Sequence, residues 1–162
     1  INSSHGRNEA MAIVIQAERP DSTDAQQLIG ELEALLEPLY PAASRHGYAV
    51  EKLLLEGVAF FVVRQDGIAA GCGGILLVGT EYGELKRMYI RPAHRGQGLG
   101  MALLDHFAVY VRERDVPLLR LETGIYQTEA IRLYERYGFT RIPPFGPYFD
   151  DPVSLCYEKR IA

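Results

Sequence analysis

Cysteine is scarce in this chain: Cys72 and Cys156 are the two among 162 residues. That is too few for a disulfide framework or a four-ligand zinc site. Both stand in apolar, strand-like segments, so they read as buried reduced thiols. No apolar run approaches the roughly 20 residues that a membrane-spanning helix requires. An excess of base is missing too, since 17 Lys+Arg face 21 Asp+Glu for a formal net charge of −4. General nucleic-acid binding needs a basic face and is disfavoured, whereas a small basic pocket is not. There is no internal repeat, no low-complexity linker and no basic-then-apolar leader. These absences favour a cytoplasmic enzyme or binding domain.

Core material, by contrast, is ample. Apolar residues make up 48% of the chain and charged ones 23%, which supports a sizeable core and argues against disorder. The length suits one domain. Residues 1–10 (INSSHGRNEA) show no periodicity, and Met11 directly precedes a strand-like run. They read as an expression scar or disordered tail, His5 included, leaving 11–162 as the single domain.

The pattern along that domain alternates between two periods. Ala12–Glu18 is short and β-branched, a first strand ended by Pro20. Asp21, Ser22 and Thr23 can cap a helix whose leucines at 28, 32, 35, 36 and 39 recur at helical spacing before Pro38 and Pro41. A second short helix is expected through Tyr48–Leu55. Val58–Arg64 and Ile68–Val78 are strands joined by the Asp66-Gly67 turn. Thr80-Glu81-Tyr82-Gly83 reads as another turn, and Glu84–Arg91 as the next strand, stopped by Pro92. Then come a helix over Gly98–Arg114, a strand over Leu118–Thr123 and a helix over Glu129–Tyr137 that Gly138 ends. Phe139–Ile142, a rigid proline-rich loop and a final strand, Val153–Lys159, complete an α/β (α+β) domain with a mixed sheet.

The most informative stretch is Arg91–Leu104, RPAHRGQGLGMALL. A strand ends, a basic turn follows, and Gly96, Gly98 and Gly100 alternate at the mouth of an amphipathic helix. The first amides of a helix lack intrahelical partners, the helix dipole adds positive potential, and glycine lets an anion approach the backbone. Arg95 can add a forked, charge-assisted contact. Three readings fit such a turn. It is a tight connection that needs glycine for geometry alone, or a dinucleotide fingerprint, or a coenzyme pyrophosphate cradle. Glu122, about 20 residues on, superficially suits the second. Against it, the third glycine is one residue early for G-x-G-x-x-G and the preceding strands look like hairpins.

Arg95-Gly96-Gln97-Gly98-Leu99-Gly100 matches the (R/Q)-x-x-G-x-(G/A) motif of the GCN5-related N-acetyltransferase superfamily. Downstream, Ala130-Ile131-Arg132-Leu133-Tyr134 and Tyr137-Gly138-Phe139 resemble its A-x-x-L-Y-x-x-x-G-F pattern. The chain therefore resembles a small bacterial acetyltransferase over about residues 12–160. The resemblance implies a mixed, mostly antiparallel sheet flanked by helices, with the fourth and fifth strands splayed around acetyl-CoA as cosubstrate and with no metal. It implies that the pantetheine arm pairs with Met88, Tyr89 and Ile90. Met88 N–H would polarise the thioester carbonyl, and the pyrophosphate would rest on the amides from Arg95 through Gly100. Gln127 stands where many relatives carry an asparagine that contacts the cofactor. Tyr134 matches the tyrosine placed near the sulfur as general acid; from spacing alone it reads as a core aromatic.

The same reading makes Glu84 the first candidate for a base, acting directly or through water, or else a solvent-facing acid at a strand end. Glu122 is the second candidate. His94 and His106 read as structural or solvated. Two acceptor chemistries stay open. The loop Pro143–Asp151, with Phe145, Tyr148, Phe149, Asp150 and Asp151, suits a cationic amine. Arg45, His46 and Tyr48 suit a carboxylate. The expected activity is acetyl transfer to the primary amine of a small molecule or amino-acid-like acceptor. The alternatives are acetylation of protein N-termini or lysines, or a non-catalytic acyl-CoA sensor. Partners are a small amine, no nucleic acid and no membrane, with homodimers common among relatives.

Overall fold

The computed structural model describes residues 12–45 and 49–161. Seven strands form one sheet: β1 (Ile13–Ala17), β2 (Ala59–Gln65), β3 (Ile68–Val78), β4 (Tyr82–Ile90), β5 (Leu118–Gly124), β6 (Thr140–Ile142) and β7 (Ser154–Arg160). The helices are α1 (Thr23–Leu36), α2 (Val50–Leu55), α3 (Leu99–Arg112) and α4 (Thr128–Tyr137). The strand order is β1-β2-β3-β4-β5-β7-β6, with β4 and β5 parallel and every other neighbour antiparallel.

The sheet is covered on both faces because successive side chains of a strand point opposite ways. Phe61 packs with Leu103, Leu104, Phe107 and Val111 of α3, and with Tyr134 of α4. Its neighbour Phe60 packs with Leu28, Ile29 and Leu32 of α1 and with Leu53 of α2. Of the three N-cap candidates for α1, Ser22 fills the role, its hydroxyl accepting from Ala25 N–H at 3.1 Å. The helix stops at Leu36, two residues before Pro38, as proline's missing donor and its restriction on the preceding residue require.

Most boundaries fall within a residue or two of the sequence reading, and the start of β4 is the shift that bears on the site. β4 begins at Tyr82, not Glu84, because Tyr82 and Gly83 already pair with Val78 and Leu77. The Thr80–Gly83 turn is correspondingly shorter, and Glu84 lies inside the strand. The short helix begins at Val50. Its expected start at Tyr48, like His46 and residues 1–10, lies outside the described residues. The sequence also gave no sign of the irregularity in β4, where the β3–β4 register shifts between Cys72 and Gly74. Arg87 sits there at φ 54°, a left-handed bulge residue.

Candidate functional site

β4 and β5 pair only at Gly83–Leu119 and Glu84–Arg120. Beyond those positions the strands part, and two cavities fill the divergence. The smaller, about 140 Å³, lies between Leu85–Met88 of β4 and Leu121–Gly124 of β5, roofed by α1, Tyr40, Arg45 and Tyr148. The larger, about 610 Å³, runs from Met88, Tyr89 and Ile90 to the glycine turn between α3 and α4. Met88, Gln127, Ala130 and Tyr134 line both, so the two spaces meet there.

The glycine turn keeps donors available. Gly96 and Gly98 adopt φ of 75° and 83°, the left-handed region where glycine is favoured, and Gly98 caps α3. The amides of Gly96, Gln97 and Gly98 donate to no other backbone group among the described residues. The first amides of α3, from Leu99 on, lack partners as at any helix start. Two members of the motif are placed differently from expectation. Arg95 N–H is spent on Pro92 O at 3.3 Å. The Arg95 guanidinium joins Ile90 O (3.0 Å) and Glu129 (3.1 Å), tying the end of β4 to α4 rather than standing free. Gln97, itself exposed, accepts from buried Gln65 Nε2 at 2.6 Å, and Gln65 Oε1 meets His94 Nδ1 at 2.8 Å. The side chain of Gly100, had it one, would meet Leu133 Cδ2 at 2.6 Å, so this glycine serves the α3–α4 approach.

The gap-facing edge of β4 follows from its own ladder. Arg91 N–H donates to Ala70 O, which points it toward β3. Backbone groups alternate sides along a strand, so those of Ile90 and Met88 point into the divergence. Ile90 O meets Arg95 there.

Tyr134 is 6% exposed and packs edge-on to Phe139 at 5.8 Å. Its hydroxyl has no hydrogen-bond partner among the described residues, and the side chain lines both cavities. Burial, with a smaller push from Glu122, raises its pKa, so the phenol holds its proton. Tyr134 is thus at once a core aromatic and a cavity wall.

Glu84 is neither solvent-facing nor free. At 2% exposure it pairs with Lys86 at 2.5 Å and accepts from the Tyr148 hydroxyl at 2.5 Å, while Lys86 Nζ also reaches that hydroxyl at 3.0 Å. Glu122 lines the smaller cavity and accepts from Ser154 Oγ at 2.9 Å. Burial pushes its pKa up to about 7 against the pull of Ser154 and Lys86, with Glu84 and Asp151 adding to the rise. Of the two acids, Glu122 is the one on the cavity wall with a proton affinity near neutrality.

On the remaining walls, Tyr148 is the member of the late loop that reaches the cavity. Phe145 packs against Tyr82, and Phe149 and Asp150 are exposed and line neither cavity. Asp151 is buried and accepts from Val153 N–H. The late loop therefore gives the described lining one aromatic, Tyr148, and no acid. His106 stacks edge-on to Phe61 at 4.5 Å, away from both cavities, and burial lowers its pKa. His94 lines the larger cavity.

Three contributors had no sequence signal. Tyr40, after α1, accepts from Tyr126 N–H and donates to Gln127 Oε1, each at 2.9 Å, so Gln127 is held across the divergence. Lys86 neutralises Glu84. Arg87, desolvated to a pKa of about 10, pairs with Glu33 of α1. Lone polar residues on strands and loops carry no periodicity, and these contacts span long sequence separations. Among the described residues no cluster of His, Cys, Asp or Glu could hold a metal, and no helix is long and apolar enough to cross a membrane.

A sequence model described as the acetyltransferase (GNAT) family matches residues 29–139. The chain is 42% identical over 149 residues to a protein of Azospirillum brasilense named IAA acetyltransferase, covering 91% of this chain and 97% of that one. It is 32% identical to the uncharacterized N-acetyltransferase YsnE of Bacillus subtilis, over 75% of this chain and 82% of that protein. A crystal structure of an acyl-CoA N-acyltransferase candidate from Klebsiella pneumoniae superposes with a TM-score of 0.79 at 38% identity, covering 93% and 98% of the two chains. The PaiA N-acetyltransferase of Thermoplasma acidophilum, crystallised with coenzyme A, shares the fold at a TM-score of 0.72 and 20% identity, over 93% and 99%.

Proposed function

The chain belongs to the acetyltransferase (GNAT) family, and from that premise we propose that it moves an acetyl group from acetyl-CoA to the amine of a small acceptor by direct attack. The observation that carries the reading is the junction of the two cavities. The larger runs from unspent amides at Gly96–Gly98 to the junction at Met88 and Tyr134, and the smaller opens beyond it beside Glu122. The larger cavity suits the coenzyme on this structure's own terms. Its turn offers backbone donors at a helix start, and its β4 edge presents unpaired main chain along which an amide-bearing arm can lie. Bound there, the coenzyme supplies the activated thioester.

The residues then divide the work. Glu122, with its raised proton affinity, takes the proton of the attacking amine, directly or through water. The ion pair of Glu84 with Lys86 makes it a positioning group behind Tyr148, and Glu122 takes over the role first expected of Glu84. Met88 N–H, pointing into the gap, polarises the carbonyl. Tyr134, whose burial keeps its phenol protonated, gives a proton to the departing sulfur. Gln127, held by Tyr40, borders both spaces and fixes the entry of α4. The smaller cavity, roofed by Tyr40, Arg45 and Tyr148, suits a small molecule better than an extended peptide.

The test is incubation with acetyl-CoA and a panel of amines, with free thiol as the readout and calorimetry of coenzyme A alongside. Thiol release that depends on the amine supports the proposal. Coenzyme binding without turnover across a broad panel would make the chain an acyl-CoA sensor, and no binding would remove the reading altogether.

A further inference from the structure

We propose that the acceptor is an amine that also carries a carboxylate, and that Arg45 is the residue that receives this carboxylate. The inference deepens the acyltransfer reading and rests on it for the amine half of the molecule.

Three cations line the smaller cavity, Arg45, Lys86 and Arg87, beside two acids, Glu33 and Glu122. Two of the cations are committed. Lys86 is paired with Glu84, and Arg87 with Glu33 of α1. Arg45 pairs with no acid among the described residues, and its Nε is buried without a hydrogen-bond partner. A buried guanidinium nitrogen with no acceptor is costly, and its natural complement is a planar carboxylate met side-on through Nε and a terminal nitrogen.

Arg45 is held at this wall by the turn of Ala42–Ser44, whose last bond is Arg45 N–H to Ala42 O at 3.3 Å. Glu122 stands on a different wall, on β5, and its proton affinity near neutrality suits an amine that must lose a proton. One wall therefore suits the amine and another a carboxylate. The competing chemistry, a purely cationic acceptor drawn by the late loop, lacks support in the lining, since neither Asp150 nor Asp151 is part of it.

The test compares each standard L-amino acid with its own carboxamide, both as acceptors in the thiol-release assay. Wild type should favour the best amino acid over its carboxamide by about 10²-fold in kcat/KM. R45Q should bring that ratio close to one, chiefly through KM for the amino acid, and R45K should restore part of it. Equal use of acid and carboxamide by wild type, or a ratio unmoved by R45Q, overturns the proposal. Should no acceptor release thiol, the acyltransfer reading fails by itself. Calorimetry of the same amino acids against protein saturated with coenzyme A then decides the carboxylate site, which demands binding in wild type and its loss in R45Q.

Discussion

At the scale of single residues, the site turns on two side chains whose burial works in opposite service. Desolvation raises the proton affinity of both Glu122 and Tyr134. For Glu122 the result is a group that ionises near neutrality and so can accept a proton; for Tyr134 it is a phenol that keeps its proton, as the proposed donation to a leaving thiolate requires. With an acid at about 7 in the free protein, the base form grows as pH rises through that value, so kcat/KM should climb through an inflection near 7. E122Q should lower kcat by about 10²-fold or more and erase that inflection. Linkage gives a second check on the same group. Its folded pKa lies above the ordinary value of 4.5, so the carboxylate form opposes folding. That penalty is absent below the ordinary value and grows as pH rises through about 7. The gain in Tm of E122Q over wild type should therefore be larger at about pH 8 than at about pH 5. Tyr134→Phe should cost about 10²-fold in kcat with little change in acetyl-CoA affinity by calorimetry. A wild-type rate in that variant would take the phenol out of the reaction.

At the scale of elements, the start of α3 separates two uses of glycine that the motif alone merges. Gly98 stands at φ 83° with open space where a side chain would go. Gly98→Val should abolish coenzyme binding, because the added methyls occupy the proposed anion site, with a backbone cost of about 1–2 kcal/mol in stability. Gly100 faces Leu133 instead. Gly100→Val should push α3 from α4 and lower Tm more than Gly98→Val does, a contrast that thermal melts of the two variants would read directly. The bulge in β4 belongs to the same scale. Arg87 takes the left-handed conformation and pairs with Glu33, so the strand is reset just before Met88, the residue whose amide faces the gap.

At the scale of the whole molecule, the space between β4 and β5 is roofed by a side chain from neither strand. Tyr40 leaves the α1 side and bonds the start of α4 through Tyr126 N–H and Gln127 Oε1. Tyr40→Phe removes both bonds while keeping most of the packing. It should cost about 1–3 kcal/mol and speed amide exchange at Tyr126, where N–H loses its acceptor. Unchanged exchange at Tyr126 would show that the ring, rather than the hydroxyl, holds the loop. Tyr40 also roofs the smaller cavity, the proposed acceptor site, so acceptor KM should rise in this variant more than coenzyme affinity falls.

The sequence by itself determined the succession of elements, because period-two and helical patterns, prolines and glycine stops act within a few residues of one another. It likewise carried the glycine turn, the Leu-Tyr helix and the family they point to, since a glycine turn at a helix start is built from consecutive residues. Tertiary structure alone decided which acid meets the cavity. Glu84 and Glu122 are alike in sequence, but Lys86 and Tyr148 claim the first, whereas the second is desolvated beside Ser154. It also decided that Asp150 stands outside, that Arg95 is tied to Ile90 and Glu129, and that Tyr40 reaches Gln127. Ion pairing and desolvation depend on neighbours brought together from distant parts of the chain, and no local pattern encodes which partner arrives.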